Sequence, residues 1–209
     1  LHHRGAVDLY GGQVLVVAGP GNNGGDGFVI ARYLHNRGAA VRLLLCAELE
    51  RVKGDALHHL QAAQACGVAP TVYSGDAGAA QVAALLQRLT RRDLIIDALL
   101  GTGLTKAVSG PLRHVIEAVN HSTALKVAVD LPSGLDADLG VPAGTLGEPV
   151  IVHADYTVTL GLCKLGLVSA PGFIYAGQVR LVDIGIPEAL CARHGVAARL
   201  LDERCLVRL

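Results

Sequence analysis

The chain carries no net charge: 18 Lys and Arg balance 18 Asp and Glu among 209 residues. No overall field therefore draws it to nucleic acid or to an anionic membrane. Aromatic side chains are scarce, with five Tyr and two Phe, which removes the platforms on which single-stranded bases stack. No apolar run reaches the ~18 residues of a membrane span, and no signal-peptide pattern opens the chain. The five cysteines (Cys46, Cys66, Cys163, Cys191 and Cys205) include no C-x-x-C pair. Neither a disulfide framework nor a zinc knuckle is indicated, and reduced thiols in a cytoplasmic protein are expected. Walker lysine, G-x-S-x-G and H-E-x-x-H motifs are also missing, so phosphoryl transfer, acyl-serine and zinc chemistry lack support.

What the chain does have is apolar content, 51% of residues, with a mean hydropathy of +0.43. That suffices for one sizeable core. Apolar runs of strand length are expected at Gln13–Ala18, Val41–Leu45, Ala69–Tyr73, Leu94–Ala98, Lys126–Asp130, Tyr156–Leu160 and Gln178–Val182. Segments of helical period lie between them. One opens at Asp26 and ends near Gly38, and another spans Ala56–Cys66. A third carries Val82, Leu85, Leu86 and Leu89, and a fourth opens at Pro111 with Leu112, Val115, Ile116 and Val119 inward. Strands that alternate with helices imply a parallel sheet covered on both faces. The fold class is α/β: a doubly wound, Rossmann-like three-layer sandwich with a mainly parallel sheet.

Ligands bind such sheets outside the carboxyl ends of the strands, and three strand ends here carry unusual chemistry. The first leads into "GPGNNGGDGF", which satisfies G-x-G-x-x-G through Gly19, Gly21 and Gly24. As a dinucleotide fingerprint this is weak, although Glu48 past the second strand could serve as the ribose-binding acid of a dehydrogenase. Asp26, expected in the first helical turn, would compete with a phosphate for the helix dipole. A bland alternative makes the glycines a tight turn and Asp26 a cap. It leaves Asn22 and Asn23 unexplained. The fourth strand ends in Asp97 and a loop of small residues, and the fifth in "VDLPSGLDADLG" with Asp130 and Ser133. Asn23, Asp97 and Ser133 would offer oxygen-only coordination with one formal charge, which suits a large monovalent cation. Asp130, partly desolvated at the end of a buried strand, would have a raised pKa suited to proton transfer; an Asx-turn acceptor is the alternative. His58, His59 and His114 are expected on helices away from these ends, and Lys164 either reaches a phosphate or is simply exposed.

Five blocks, "GPGNNGGDGFVIARYL", "DLIIDALLGTGL", "VAVDLPSGLDADLG", "ADYTVTLGLCKLGL" and "GQVRLVDIGIP", together resemble the NAD(P)H-hydrate epimerase family, the YjeF N-terminal domain. They occur in the family's order from Val14 to Pro187. The resemblance implies an isomerase that interconverts the R and S forms of NADH or NADPH hydrated at nicotinamide C6, a metabolite repair. Asn22, Asn23, Gly24, Gly25 and Asp26 would contact this substrate, as would Gly101, Thr102, Gly103, Leu104, Thr105, Lys106, Ala107 and Asp130. Asp130 would be catalytic, donating and then accepting a proton. One potassium ion per chain would be held by Asn23, Asp97 and Ser133. The implied partners are the hydrated cofactor, an ADP- or ATP-dependent dehydratase, fused or separate, and a second copy of the chain. Residues 1–190 would form the epimerase domain. Residues 191–209 would be a tail or the start of a linker to a dehydratase, since "LLDERCLVRL" resembles that junction in bifunctional bacterial forms. The helical segment that precedes the family's first strand is absent from this sequence. A nucleotide-binding module without turnover, or an NAD-dependent oxidoreductase, are the competing readings.

Overall fold

The computed structural model describes residues 12–144 and 150–194. Its strands are β1 (Gln13–Ala18), β2 (Ala40–Leu45), β3 (Pro70–Val72), β4 (Leu94–Ala98), β5 (Leu125–Val129), β6 (Tyr156–Leu160) and β7 (Gln178–Val182). They form one sheet in the order β3-β2-β1-β4-β5-β6-β7, with every neighbouring pair parallel. The helices are α1 (Asn22–Asn36), α2 (Gly54–Ala65), α3 (Gly75–Leu86), α4 (Pro111–His121), α5 (Leu165–Val168), α6 (Phe173–Ala176) and α7 (Glu188–His194). No helix among the described residues is long and apolar enough to cross a membrane.

Alternation along β1 divides the core. Val14, Val16 and Ala18 pack with Phe28 and Ala31 of α1 and Ala56 and Leu60 of α2. Leu15 and Val17 face the other way, onto Val82 and Leu86 of α3 and Val115, Ile116 and Val119 of α4. Successive strand residues point to opposite faces, so a fully apolar strand needs a helical layer on each side. The strand order reverses between β1 and β4, which opens a crevice at their carboxyl ends.

Two expectations shift. The first helix begins at Asn22 rather than Asp26, which places Asp26 in the second turn and removes it as a cap. Asparagine and glycine are poor helix formers, but close packing wins: a Cβ on Gly25 would sit 3.1 Å from Ala56 Cα, and one on Gly27 2.7 Å from Ala98 Cβ. The third helix stops at Leu86, so Leu89 joins the same core from the turn that follows. The tail foreseen from residue 191 begins inside α7, and its remainder lies outside the described residues. Phe28 is fully buried between α1 and the sheet. Phe28→Ala is expected to destabilise the chain by ~3–5 kcal/mol, read from the midpoint of urea unfolding at unchanged slope.

Candidate functional site

The crevice is built by close backbone crossings. Gly19, directly after β1, donates its N–H to Ala98 O at 3.0 Å. A Cβ there would lie 2.0 Å from Leu99 O, and one on Gly24 1.9 Å from Gly19 O. Glycine is required where backbones approach this closely. The loop after β1 is thereby pressed against the loop after β4, and α1 starts at their junction with no side-chain cap.

Beneath the junction lies Asp97, the fourth residue of β4, fully buried. Ser133 Oγ donates to Asp97 Oδ1 at 2.6 Å and Ser133 N to Oδ2 at 2.8 Å, while Leu99 N reaches Oδ1 at 3.3 Å. Leu100 N donates to Ser133 Oγ at 2.9 Å, and Asn23 Nδ2 to Leu100 O at 2.8 Å. One network therefore ties α1, the loop after β4 and the loop after β5. Burial pushes the Asp97 carboxyl up to about 6, against the hydrogen bonds from Ser133 and Leu99 that pull it down. No cationic side chain among the described residues bonds to it. The amide oxygen of Asn23 is buried and accepts no hydrogen bond. An orphaned buried acceptor beside an uncompensated carboxylate fits an oxygen-ligated cation of low charge. No cluster of three or more His, Cys, Asp or Glu suited to a metal is found among the described residues.

Asp130 follows β5 with φ of 65°, the one non-glycine residue among those described with a positive φ. Aspartate tolerates this left-handed region better than most residues. Its N–H donates to Val158 O at 2.8 Å, and its Oδ1 accepts from Leu160 N at 3.0 Å and Thr159 Oγ1 at 3.3 Å. Lys164 forms an ion pair with the same oxygen and donates to Leu160 O at 2.9 Å. Lys164 is thus not the exposed lysine that one of its two expectations held, and its ammonium is engaged by Asp130. Across from this pair, burial and then the charge of Asp130 push the Asp26 carboxyl up, opposed by His59. His59 stands on α2, as expected, and outside the lining of the cavity described below.

A cavity of about 870 Å³ covers these ends. Of the residues singled out from the sequence, Asn22, Asn23, Asp26, Gly101, Thr102, Gly103, Leu104 and Asp130 line it. Gly24 and Gly25 are buried in the packing of α1, and Asp97 and Ser133 lie below the floor. Thr105, Lys106 and Ala107 fall outside the lining. The cavity continues to Cys46, Glu48, Arg51 and Tyr73, past β2 and β3. The Cys46 thiol is pushed up to about 12, by burial and then by the charge of Asp97, which keeps it protonated and a poor nucleophile at neutral pH. The pairing of Lys164 with Asp130 was not foreseen because its signal is spatial: the two sit in no spaced motif.

Asp97 binds its proton more tightly when folded than when unfolded. Its contribution to stability is therefore full below its ordinary value of 3.8 and is lost as pH rises through about 6. Thermal unfolding in tetramethylammonium buffer, free of small cations, is expected to show this decline in the parent chain. The difference between parent and Asp97→Asn should carry the same pH window.

Residues 4–166 match the family model described as YjeF-related protein N-terminus. A bifunctional NAD(P)H-hydrate repair enzyme of Moorella thermoacetica is 42% identical over 90% of this chain, which spans 34% of that protein. An NAD(P)H-hydrate epimerase of Rhodopirellula baltica is 36% identical over 92% of this chain and 76% of its own length. The crystal structure of the yeast protein ynu0 superposes with a TM-score of 0.65 at 27% identity, covering 94% of this chain and 76% of that one. The chain belongs to the YjeF-related protein N-terminus family.

Proposed function

We propose that the chain interconverts the R and S epimers of NADH or NADPH hydrated at nicotinamide C6, an isomerase activity in cofactor repair. The observation that carries this reading is the pair of carboxyls, Asp26 and Asp130, on the wall of one cavity, only one of them neutralised by a lysine. Two carboxyls in unlike environments are equipped for acid and base roles. The cavity is of a size to take most of a dinucleotide. The uncapped end of α1 beside Gly21 and Asn22 favours a diphosphate, whose charge the free amides of a first turn attract. The relatives named as an NAD(P)H-hydrate epimerase and as a bifunctional NAD(P)H-hydrate repair enzyme support the same substrate.

The chemistry is redox-neutral. Asp26, the carboxyl held more readily protonated, gives its proton to the C6 hydroxyl. The ring N1 lone pair forms a C=N bond to C6 as the C6–O bond breaks and water leaves. The resulting iminium is planar at C6. Water adds to the opposite face, and Asp130 accepts the proton that this water releases. Transfer of that proton from Asp130 to Asp26 restores the starting state, and the reverse direction uses the two carboxyls in exchanged roles. Asn23, Asp97 and Ser133 would hold a potassium ion, one per chain, which supplies the charge that Asp97 lacks. The chain's own residues then keep the three loops in register and exclude water from below. The epimer left over would feed a dehydratase, fused or separate. The four described cysteines are free thiols, which suits the reducing cytoplasm.

Incubation with one resolved epimer, followed by chromatography, is expected to yield both forms with no change of absorbance at the reduced-nicotinamide band. Asp130→Asn should slow this exchange by about 10²–10⁴-fold while substrate still binds. A change in absorbance would point to an oxidoreductase, and tight binding without exchange to a binding module. Either result would overturn the epimerase reading.

A further inference from the structure

Asp130 is held on one oxygen only. Oδ1 accepts from Lys164 Nζ, from Leu160 N at 3.0 Å and from Thr159 Oγ1 at 3.3 Å. Among the described residues, no hydrogen bond reaches Oδ2. Lys164 is itself anchored, because a second N–H goes to Leu160 O at 2.9 Å. The backbone explains the arrangement. Lys164 stands immediately before α5, and the turn from β6 carries it back to Leu160, the last residue of that strand. Both side chains of the pair are largely shielded, 18% and 17% exposed. A loop lysine on a solvated surface would not hold one geometry. Here both ends are fixed by β6.

Lys164 does not line the cavity, whereas Asp130 does. Its ammonium therefore acts from behind the carboxylate. Among the described residues, the charged and titratable groups around Asp130 are Lys164 at the start of α5 and Asp26 on α1, with the charge of His59 on α2 acting on Asp26. Among the described residues, Lys164 is the one cation in direct contact.

We propose that Lys164 is a positioning residue for proton transfer: by holding Asp130 Oδ1 it leaves Oδ2 turned to the cavity as the oxygen that exchanges the proton. The inference rests on the epimerase reading for its kinetic consequence, but its geometric content stands apart from it. In the addition step, the water O–H bond breaks as the O–C6 bond forms, and the proton passes to Oδ2. Oδ1 keeps its three donors throughout, so the carboxylate does not swing when it is protonated. Without Lys164 the side chain would lose its strongest tether. Both oxygens would then compete for the donors of Leu160 and Thr159. The left-handed backbone of Asp130 adds to the need for a tether, since it aims the side chain across β6 rather than along β5.

The test compares the parent chain with Lys164→Met and Lys164→Arg in two measurements. Epimer exchange in Lys164→Met is expected to lose about 10²-fold in kcat with KM changed less than about twofold. The pH profile limb that belongs to Asp130 should move to higher pH, as loss of a neighbouring cation requires. Lys164→Arg should recover at least about tenfold of that loss, because it keeps a charge and two donors. The second measurement is carboxyl ¹³C NMR of Asp130 in the chain without substrate, where Lys164→Met should raise the titration midpoint. Parent-like kcat and an unmoved midpoint in Lys164→Met would overturn the inference. So would a loss of activity with an unmoved midpoint and no recovery in Lys164→Arg, the signature of a merely structural role. If Lys164→Met fails to fold, Lys164→Gln serves the same comparison. A parent chain that exchanges no epimers would sink the functional reading, while the NMR titration would still decide whether Lys164 tethers Asp130.

Discussion

A buried carboxylate that no cationic side chain meets among the described residues organises this molecule. Asp97 is placed by β4 in the middle of the sheet, fully shielded from water, where an unpaired charge is costly. The fold meets part of that cost with hydrogen bonds from Ser133 and Leu99. Those bonds have a second effect. They fasten the loop after β5 to the loop after β4, and Asn23 then fastens α1 to Leu100. Asp130, three residues before Ser133, is thereby fixed relative to Asp26, three residues after Asn23. The spacing of these two cavity-lining carboxyls is inherited from a buried residue to which neither is hydrogen-bonded.

The second constraint is backbone proximity. Gly19 and Gly24 let two loops and a helix meet at distances that any side chain would forbid. This explains why a glycine-rich loop follows β1 without obliging the chain to use a dinucleotide as a redox cofactor. In a dehydrogenase the same turn clears space for a pyrophosphate. Here Gly24 and Gly25 are spent on packing inside the protein, while the adjacent Asn22 and Asn23 at the start of α1 meet the ligand space and the network beneath it. In the reading proposed above the hydrated dinucleotide is a substrate, and the turn serves to bring the walls together.

Much of the fold was legible in the sequence. β1, β4, β6 and β7 fall where the apolar runs begin and end, and β2, β3 and β5 differ by a residue at their margins. Buried parallel strands write themselves as continuous apolar runs, so their limits are sharp. The start of α1 was not legible. Local propensity disfavours a helix through Asn22–Gly25, and only contacts with Gly19 and Ala56 reverse that preference. The site divides in the same way. Asn23, Asp97, Asp130 and Ser133 stand at strand ends, where topology alone brings them together. Lys164 follows a turn whose direction depends on packing, so nothing in its spacing announced that it meets Asp130.

The central claim is that the three strand ends converge on a buried place for a weakly charged cation, and that this place sets the geometry above it. Crystals grown in potassium and exchanged into thallium or rubidium test it directly by anomalous scattering. The account predicts one strong peak per chain, bordered by Asn23, Asp97 and Ser133 and lost in Asp97→Asn crystals. A well-ordered crystal with no peak there, or with the heavy ion only at the protein surface, would contradict it.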